Sequence, residues 1–221
     1  MRRALFIIVA LALSAPAALD ARVPPSMQKE RDPKFAKSKY GETRKRLKSE
    51  GYQKHLFGLG MGYMRPGFQL EQGKSLHVAP IKNMARDETR GLAGDLADVA
   101  QERSVELLRE SEIFSGVGTA EKKADYTLEI YIMEIETGYN IWGQGSWCVW
   151  GVNLYDAKRN LLMAGYDRIE SDSYSRNVDF LVGQIPDRTT LFICRSNPSF
   201  NTDYVRLLRT RKFNWRIWEE L

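Results

Sequence analysis

Apolar positions along the chain repeat with two periods. Over 87–111, Leu92, Leu96, Val99 and Leu107 recur at helical spacing, interrupted only by Arg103 and flanked by Ala93, Ala97, Ala100 and Leu108. A stripe spaced by threes and fours predicts one long amphipathic helix lying on a sheet. Asp87 suits its N-cap and Glu88 its first turn. The opposite face mixes acidic and basic residues and is expected in solvent. Over 124–136 the period drops to two: Tyr126, Leu128, Ile130 and Ile132 alternate with Thr127, Glu129 and Tyr131. The phase then flips, so that Met133 and Ile135 are apolar between Glu134 and Glu136. A one-residue flip inside a strand predicts a β-bulge. On this reading the three glutamates are solvent-facing acids on an alternating strand, not a catalytic pair.

Weaker patterns fill in the remainder. Leu76 and Val78 alternate with His77 in a strand over 74–80, which Pro80 ends; His77 reads as an edge or surface residue. A short strand fits 113–117. From Ser146 to Asp156, Cys148, Trp150, Val152 and Leu154 share one face, while Trp147, Val149, Asn153 and Tyr155 share the other. Residues 157–160 read as a turn into a partner strand over 161–171. The stretch 173–198 admits a short helix over 178–182 and an irregular run to Cys194. Asn201 or Thr202 can cap a C-terminal helix. The order predicts an α/β (α+β) fold: a mixed four- to five-stranded sheet with one long helix and a C-terminal helix packed on it.

The sequence has 221 residues, 43% hydrophobic and 28% charged, which accommodates one domain plus appendages. These values exclude a polytopic membrane protein, a collagen-like fibre and a wholly disordered chain. Two cysteines exclude a disulfide-dense miniprotein, and two histidines leave little for a histidine-built zinc site. The run 57–62 alternates glycine with apolar residues, but a basic segment precedes it and Arg65-Pro66-Gly67 follows, so it reads as a hinge rather than a dinucleotide loop. No Walker-type run occurs. No catalytic, cofactor-binding or metal-ligating residue is nominated, and no cofactor is expected.

The beginning of the chain carries an export signal. Arg2 and Arg3 precede the apolar run 4–13 and the small residues 14–18, the grammar of a signal peptide over 1–21. Ten apolar residues span only about 15 Å as a helix, about half of a bilayer core. No cysteine stands at the cleavage region to carry a lipid, so the expected address is periplasmic or secreted, with a soluble mature chain. Export leaves two readings of Cys148 and Cys194 open: a disulfide, which an oxidising compartment would preserve, or two separate buried thiols.

Charge is unevenly placed. Residues 22–54 carry a net +7 and residues 55–221 a net −3, within a total of +5. The sequence therefore divides into the signal peptide, a basic arm and hinge over 22–73, and a single α/β domain over 74–221. The arm carries Lys34, Lys37, Lys39, Arg44, Lys45, Arg46 and Lys48, and is too poor in apolar residues for a core of its own. A short helix over 42–53 is admitted, with Leu47 as a weak apolar contact. In an exported protein such an arm suits anionic lipid, lipopolysaccharide, anionic glycan or an acidic protein face. Nucleic acid is not an expected partner. The plainer reading is a solvated linker. Trp142, Trp147 and Trp150 crowd into one strand region, where they serve either as core or as a stacking surface for a glycan or partner.

Several short motifs carry a resemblance. Val78-Ala79-Pro80 ends a strand, the 92–108 helix follows, and Ile113-Phe114-Ser115-Gly116-Val117 and Ala124-Asp125-Tyr126-Thr127-Leu128 come next. Asn153-Leu154-Tyr155-Asp156 closes a later strand at an aspartate turn. In order and spacing this resembles a group of bacterial envelope proteins that includes the amino-terminal domain of TolB, the curli secretion protein CsgG and the activator lipoprotein LpoB. The resemblance covers 74–166. Two departures stand: no lipidation cysteine, and a basic arm and Trp-rich strand outside the pattern. It implies a small α/β domain acting through protein contacts rather than catalysis. The expected function is a non-catalytic exported cell-envelope adaptor or assembly factor with an envelope protein partner. The alternative is a periplasmic glycan-binding protein using the Trp-rich strand.

Overall fold

A computed structural model describes residues 39–57, 60–85, 87–120, 123–140, 143–171, 178–197 and 199–200. Its elements are α1 (Lys39–Ser49), β1 (Gln53–Phe57), β2 (Gly60–Met64), β3 (Ser75–Val78), β4 (Lys82–Asn83), α2 (Asp87–Glu110), β5 (Gly116–Gly118), β6 (Tyr126–Asn140), β7 (Gly143–Asp156), β8 (Leu161–Ser171), α3 (Val178–Gly183) and α4 (Ile185–Cys194). The strands form one mixed sheet in the order β1-β2-β8-β7-β6-β3-β5, with β4 also paired to β6. The mixed α+β class is as expected, but the sheet has eight strands rather than four or five.

The additional strands come from two sources. β1 and β2 form a hairpin antiparallel to β8, so the sheet begins at Gln53, inside the segment assigned to a basic arm and hinge. The glycine-alternating run there is short of side chains, which hid its strand period. β4 arises because Pro80 lacks an N–H. The Ala79 amide still bonds Leu128 O at 2.9 Å, the chain breaks at the proline, and pairing with β6 resumes through Lys82 and Asn83. β3 lies between β5 and β6, so His77 is an interior residue, 9% exposed, with Nδ1 buried and unpartnered; the edge position read from sequence is corrected.

The phase flip in β6 is a register shift between Ile132 and Glu134, as the pattern predicted. It keeps Ile130, Ile132 and Ile135 on one face, all buried, across from Val152, Trp150 and Cys148 of β7. That face packs against α2, α3 and α4 to form the main core. Each fully buried Leu or Ile there contributes about 1.5–3 kcal/mol. Arg188 of α4 donates to Asp167 of β8, pinning the helix to the sheet. The 178–194 segment is thus two helices where sequence admitted one. The signal peptide, Lys34, Lys37, Trp142 and the helix expected after Asn201 or Thr202 lie outside the described residues.

Cys148 and Cys194 are free thiols, which decides between the two readings and corrects the candidate disulfide. Cys148 is 0% and Cys194 4% exposed, and both pack into the main core as small apolar side chains.

Candidate functional site

The candidate site is the sheet face opposite α2, α3 and α4. At one end sits α1, whose stop signal is local. Gly51 adopts φ +82°, its N–H bonds Lys48 O at 3.1 Å, and the Tyr52 N–H bonds Leu47 O at 2.9 Å. This paired closure is a Schellman motif, in which glycine adopts the left-handed conformation without the usual strain. Leu47 points inward and is 0% exposed, clustered with Tyr63 of β2 and Ala164 of β8. The Tyr52 hydroxyl donates to Leu161 O at 2.6 Å, tying the helix end to β8. Arg44, Lys45, Arg46 and Lys48 all remain exposed. Arg46 pairs with Glu50 at 3.6 Å. The basic segment expected to be a coreless arm is therefore, from Lys39 on, a helix docked on the sheet through Leu47 and, at its end, Tyr52.

From α1 the face continues through Tyr166, whose hydroxyl burial pushes up to about 12, to Gly151 and Met133. At the far end lies a knot of charges around Glu129. The carboxylate is 7% exposed and accepts from the Tyr131 hydroxyl, from Arg159 Nη2 at 2.5 Å and from Lys82 Nζ at 3.3 Å. Burial alone would raise Glu129, but these three donors outweigh it and hold the carboxyl below its usual value. Burial and the Glu129 hydrogen bond push the Tyr131 hydroxyl far up. Lys82 Nζ lies 5.2 Å from the Tyr131 ring centre, and the Arg159 guanidinium 4.7 Å from that of Tyr155. Arg159 reaches this position from a φ of +65°, in the turn that Asp156 closes by accepting from the Lys158 and Asn160 amides. Glu129 is thus a buried hub and not the solvent-facing acid its alternation implied. No signal in the sequence links Lys82, Glu129 and Arg159, because the pairing register brings them together.

Lys82 and Arg159 stay 53% and 58% exposed, joining the basic residues of α1, while Glu129 is buried beneath them. Trp147 and Trp150 do not contribute a stacking surface here. Trp147 is 7% exposed under the Arg168 guanidinium, and Trp150 is 3% exposed in the core. The sugar-platform reading of these two is corrected: both rings are covered by the protein itself. Among the described residues there is no group of three or more His, Cys, Asp or Glu placed to hold a metal, and no helix long and apolar enough to cross a membrane.

No protein-family model and no curated protein matches the sequence. Among solved structures, the chain is similar to a single-substitution form of the PelC dodecamer from Paraburkholderia phytofirmans, at 18% identity over 62% of this chain and 98% of that one, TM-score 0.45. Lipoprotein GNA1162 of Neisseria meningitidis is 18% identical over 55% and 99%, TM-score 0.37. A putative neuraminyllactose-binding hemagglutinin homologue of Helicobacter pylori is 9% identical over 70% and 98%, TM-score 0.36.

Proposed function

We propose that the chain is a non-catalytic exported cell-envelope protein, an adaptor or assembly factor that works through contact with an anionic partner on the exposed basic residues of α1. The observation that carries this reading is the seating of α1. Leu47 is buried beneath the helix and the Tyr52 hydroxyl ties its end to β8, while Arg44, Lys45 and Lys48 stay exposed and, among the described residues, outside any ion pair. A helix seated by Leu47 and tied at its end by Tyr52 presents its charges in a fixed array rather than on a solvated linker. Charges so placed steer association and set orientation more than they add affinity.

The test is cosedimentation of the full chain with isolated envelopes across a salt titration, followed by crosslinking. Binding should weaken steeply with salt, as exposed charges are screened beyond about 10 Å at 0.1 M. A triple variant, Arg44→Ser, Lys45→Ser and Lys48→Ser, should lose most of the binding and its salt dependence. Equal binding by wild type and variant at every salt concentration overturns the reading.

A further inference from the structure

The face of α2 turned away from the core carries a second, opposite array. Asp95, Asp98, Glu102, Glu106 and Glu110 fall at spacings of three, four, four and four, and all are exposed. They form one stripe about 22 Å long. Arg103 neutralises Glu106 at 2.8 Å, and Arg109 is turned onto the carbonyl of Val117 of β5. Asp95, Asp98, Glu102 and Glu110 have no cationic partner among the described residues. On the other side of the sheet, Arg44, Lys45 and Lys48 of α1 are likewise unpaired among the described residues. Ala164 packs under α1, whereas its neighbour Gly165 faces Phe192 of α4 in the core. The two charged helices therefore lie on opposite faces of one sheet, and neither can satisfy the other within a chain.

We propose that the basic face of α1 docks the acidic stripe of α2 on a second copy of this chain. The inference rests on the reading above and names the anionic partner of α1 as the chain itself. Because donor and acceptor surfaces differ, the contact is head-to-tail. Such contacts propagate until the rotation between copies closes a ring. Both helices are exposed, continuous and longer than two turns, so three cations can meet three carboxylates across one crossing. Each surface pair is individually weak, which makes the assembly depend on their number and on salt.

The test is sedimentation velocity of the full chain at low and high salt. Species larger than the 25.4 kDa chain are expected at low salt, dissociating as salt is raised. A basic-face variant, Arg44→Glu, Lys45→Glu and Lys48→Glu, should be monomeric at low salt. So should an acidic-face variant, Asp95→Lys, Asp98→Lys and Glu102→Lys. Mixing the two, or combining all six changes in one chain, should restore assembly, since each reversed surface again meets its opposite. Circular dichroism of each variant separates lost docking from lost folding. A monomeric wild type at low salt, or association that neither variant changes, overturns the inference. If the wild type is monomeric while envelope binding still requires Arg44, Lys45 and Lys48, this inference alone falls. If both are absent, the proposed function falls with it.

Discussion

Gly165 of β8 lies against the ring of Phe192 of α4, so close that a methyl group on its α-carbon would sit 2.6 Å from Cε2 and 2.8 Å from Cδ2 of that ring. Val152 Cγ1, at 3.0 Å, closes the other side. The absence of a side chain at this point is what lets α4 rest on the sheet.

Gly165→Ala should therefore destabilise the fold by about 1–3 kcal/mol, the cost of overpacking a filled core. Gly151→Ala is the control. Its methyl would meet the end of the Met133 side chain at 2.5 Å, and that end can swing away, leaving only the Tyr166 ring at 3.1 Å to yield. Urea denaturation should rank the two, with Gly165→Ala the more costly. Equal midpoints would show that α4 is not seated as described.

The long elements were legible because their periods are uninterrupted. The stripe from Leu92 to Leu107 and the alternation from Tyr126 to Ile132 each allow one secondary structure, and the flip at Met133 marked its own bulge. The β1-β2 hairpin was not legible, since Gly58, Gly60 and Gly62 remove the side chains from which a strand period is read. Among the described side chains of α1 only Leu47 is buried, and one leucine among cations cannot be told in sequence from a linker residue. The hub at Glu129 was invisible for another reason. Its partners Lys82 and Arg159 lie 47 and 30 residues away, and only the strand register brings them together.

Glu129→Gln keeps the shape of the hub but replaces a carboxylate that accepts from Tyr131, Arg159 and Lys82. Losing hydrogen bonds to a charged group costs about 1.5–3 kcal/mol, discounted here because both cations are half exposed. The native Glu129 carboxyl lies below its unfolded value of about 4.5. Its contribution is therefore complete above that unfolded value and lost as pH falls through the lower native one. Urea melts at neutral pH should show wild type more stable than Glu129→Gln, with the gap narrowing as the solution is acidified into that window. A gap that is constant with pH would mean the carboxylate charge is not what holds the hub.

Burial pushes the thiols of Cys148 and Cys194 up to about 12. At mildly alkaline pH almost no thiolate is present, and neither sulfur meets solvent. The native chain should therefore be inert to an aromatic disulfide reagent and release two equivalents of chromophore once unfolded, one from each free cysteine. Reductant should leave its thermal midpoint unchanged. A midpoint that falls with reductant, or no titratable thiol after unfolding, would restore the disulfide.

Among the described side chains of α1, Leu47 is the buried one, and without it the charged helix loses its buried apolar contact with the sheet. Leu47→Ala removes a side chain that is 0% exposed and packs on Tyr63 and Ala164. Large-to-small changes at such sites cost about 2–5 kcal/mol. In a satellite cluster at one end of the sheet, much of that cost falls on local undocking rather than on global unfolding. The reporter is trypsin, for which Arg44, Lys45, Arg46 and Lys48 are closely spaced cleavage sites. Native wild type should be cut there slowly, because an ordered helix does not fit a protease cleft. Leu47→Ala should be cut at these positions many times faster, while the rest of the fold keeps its unfolding free energy within about 1 kcal/mol. Rapid cleavage of wild type at the same sites would return residues 39–49 to the solvated arm that their composition first implied, and with it remove the fixed cationic array on which the proposed docking depends.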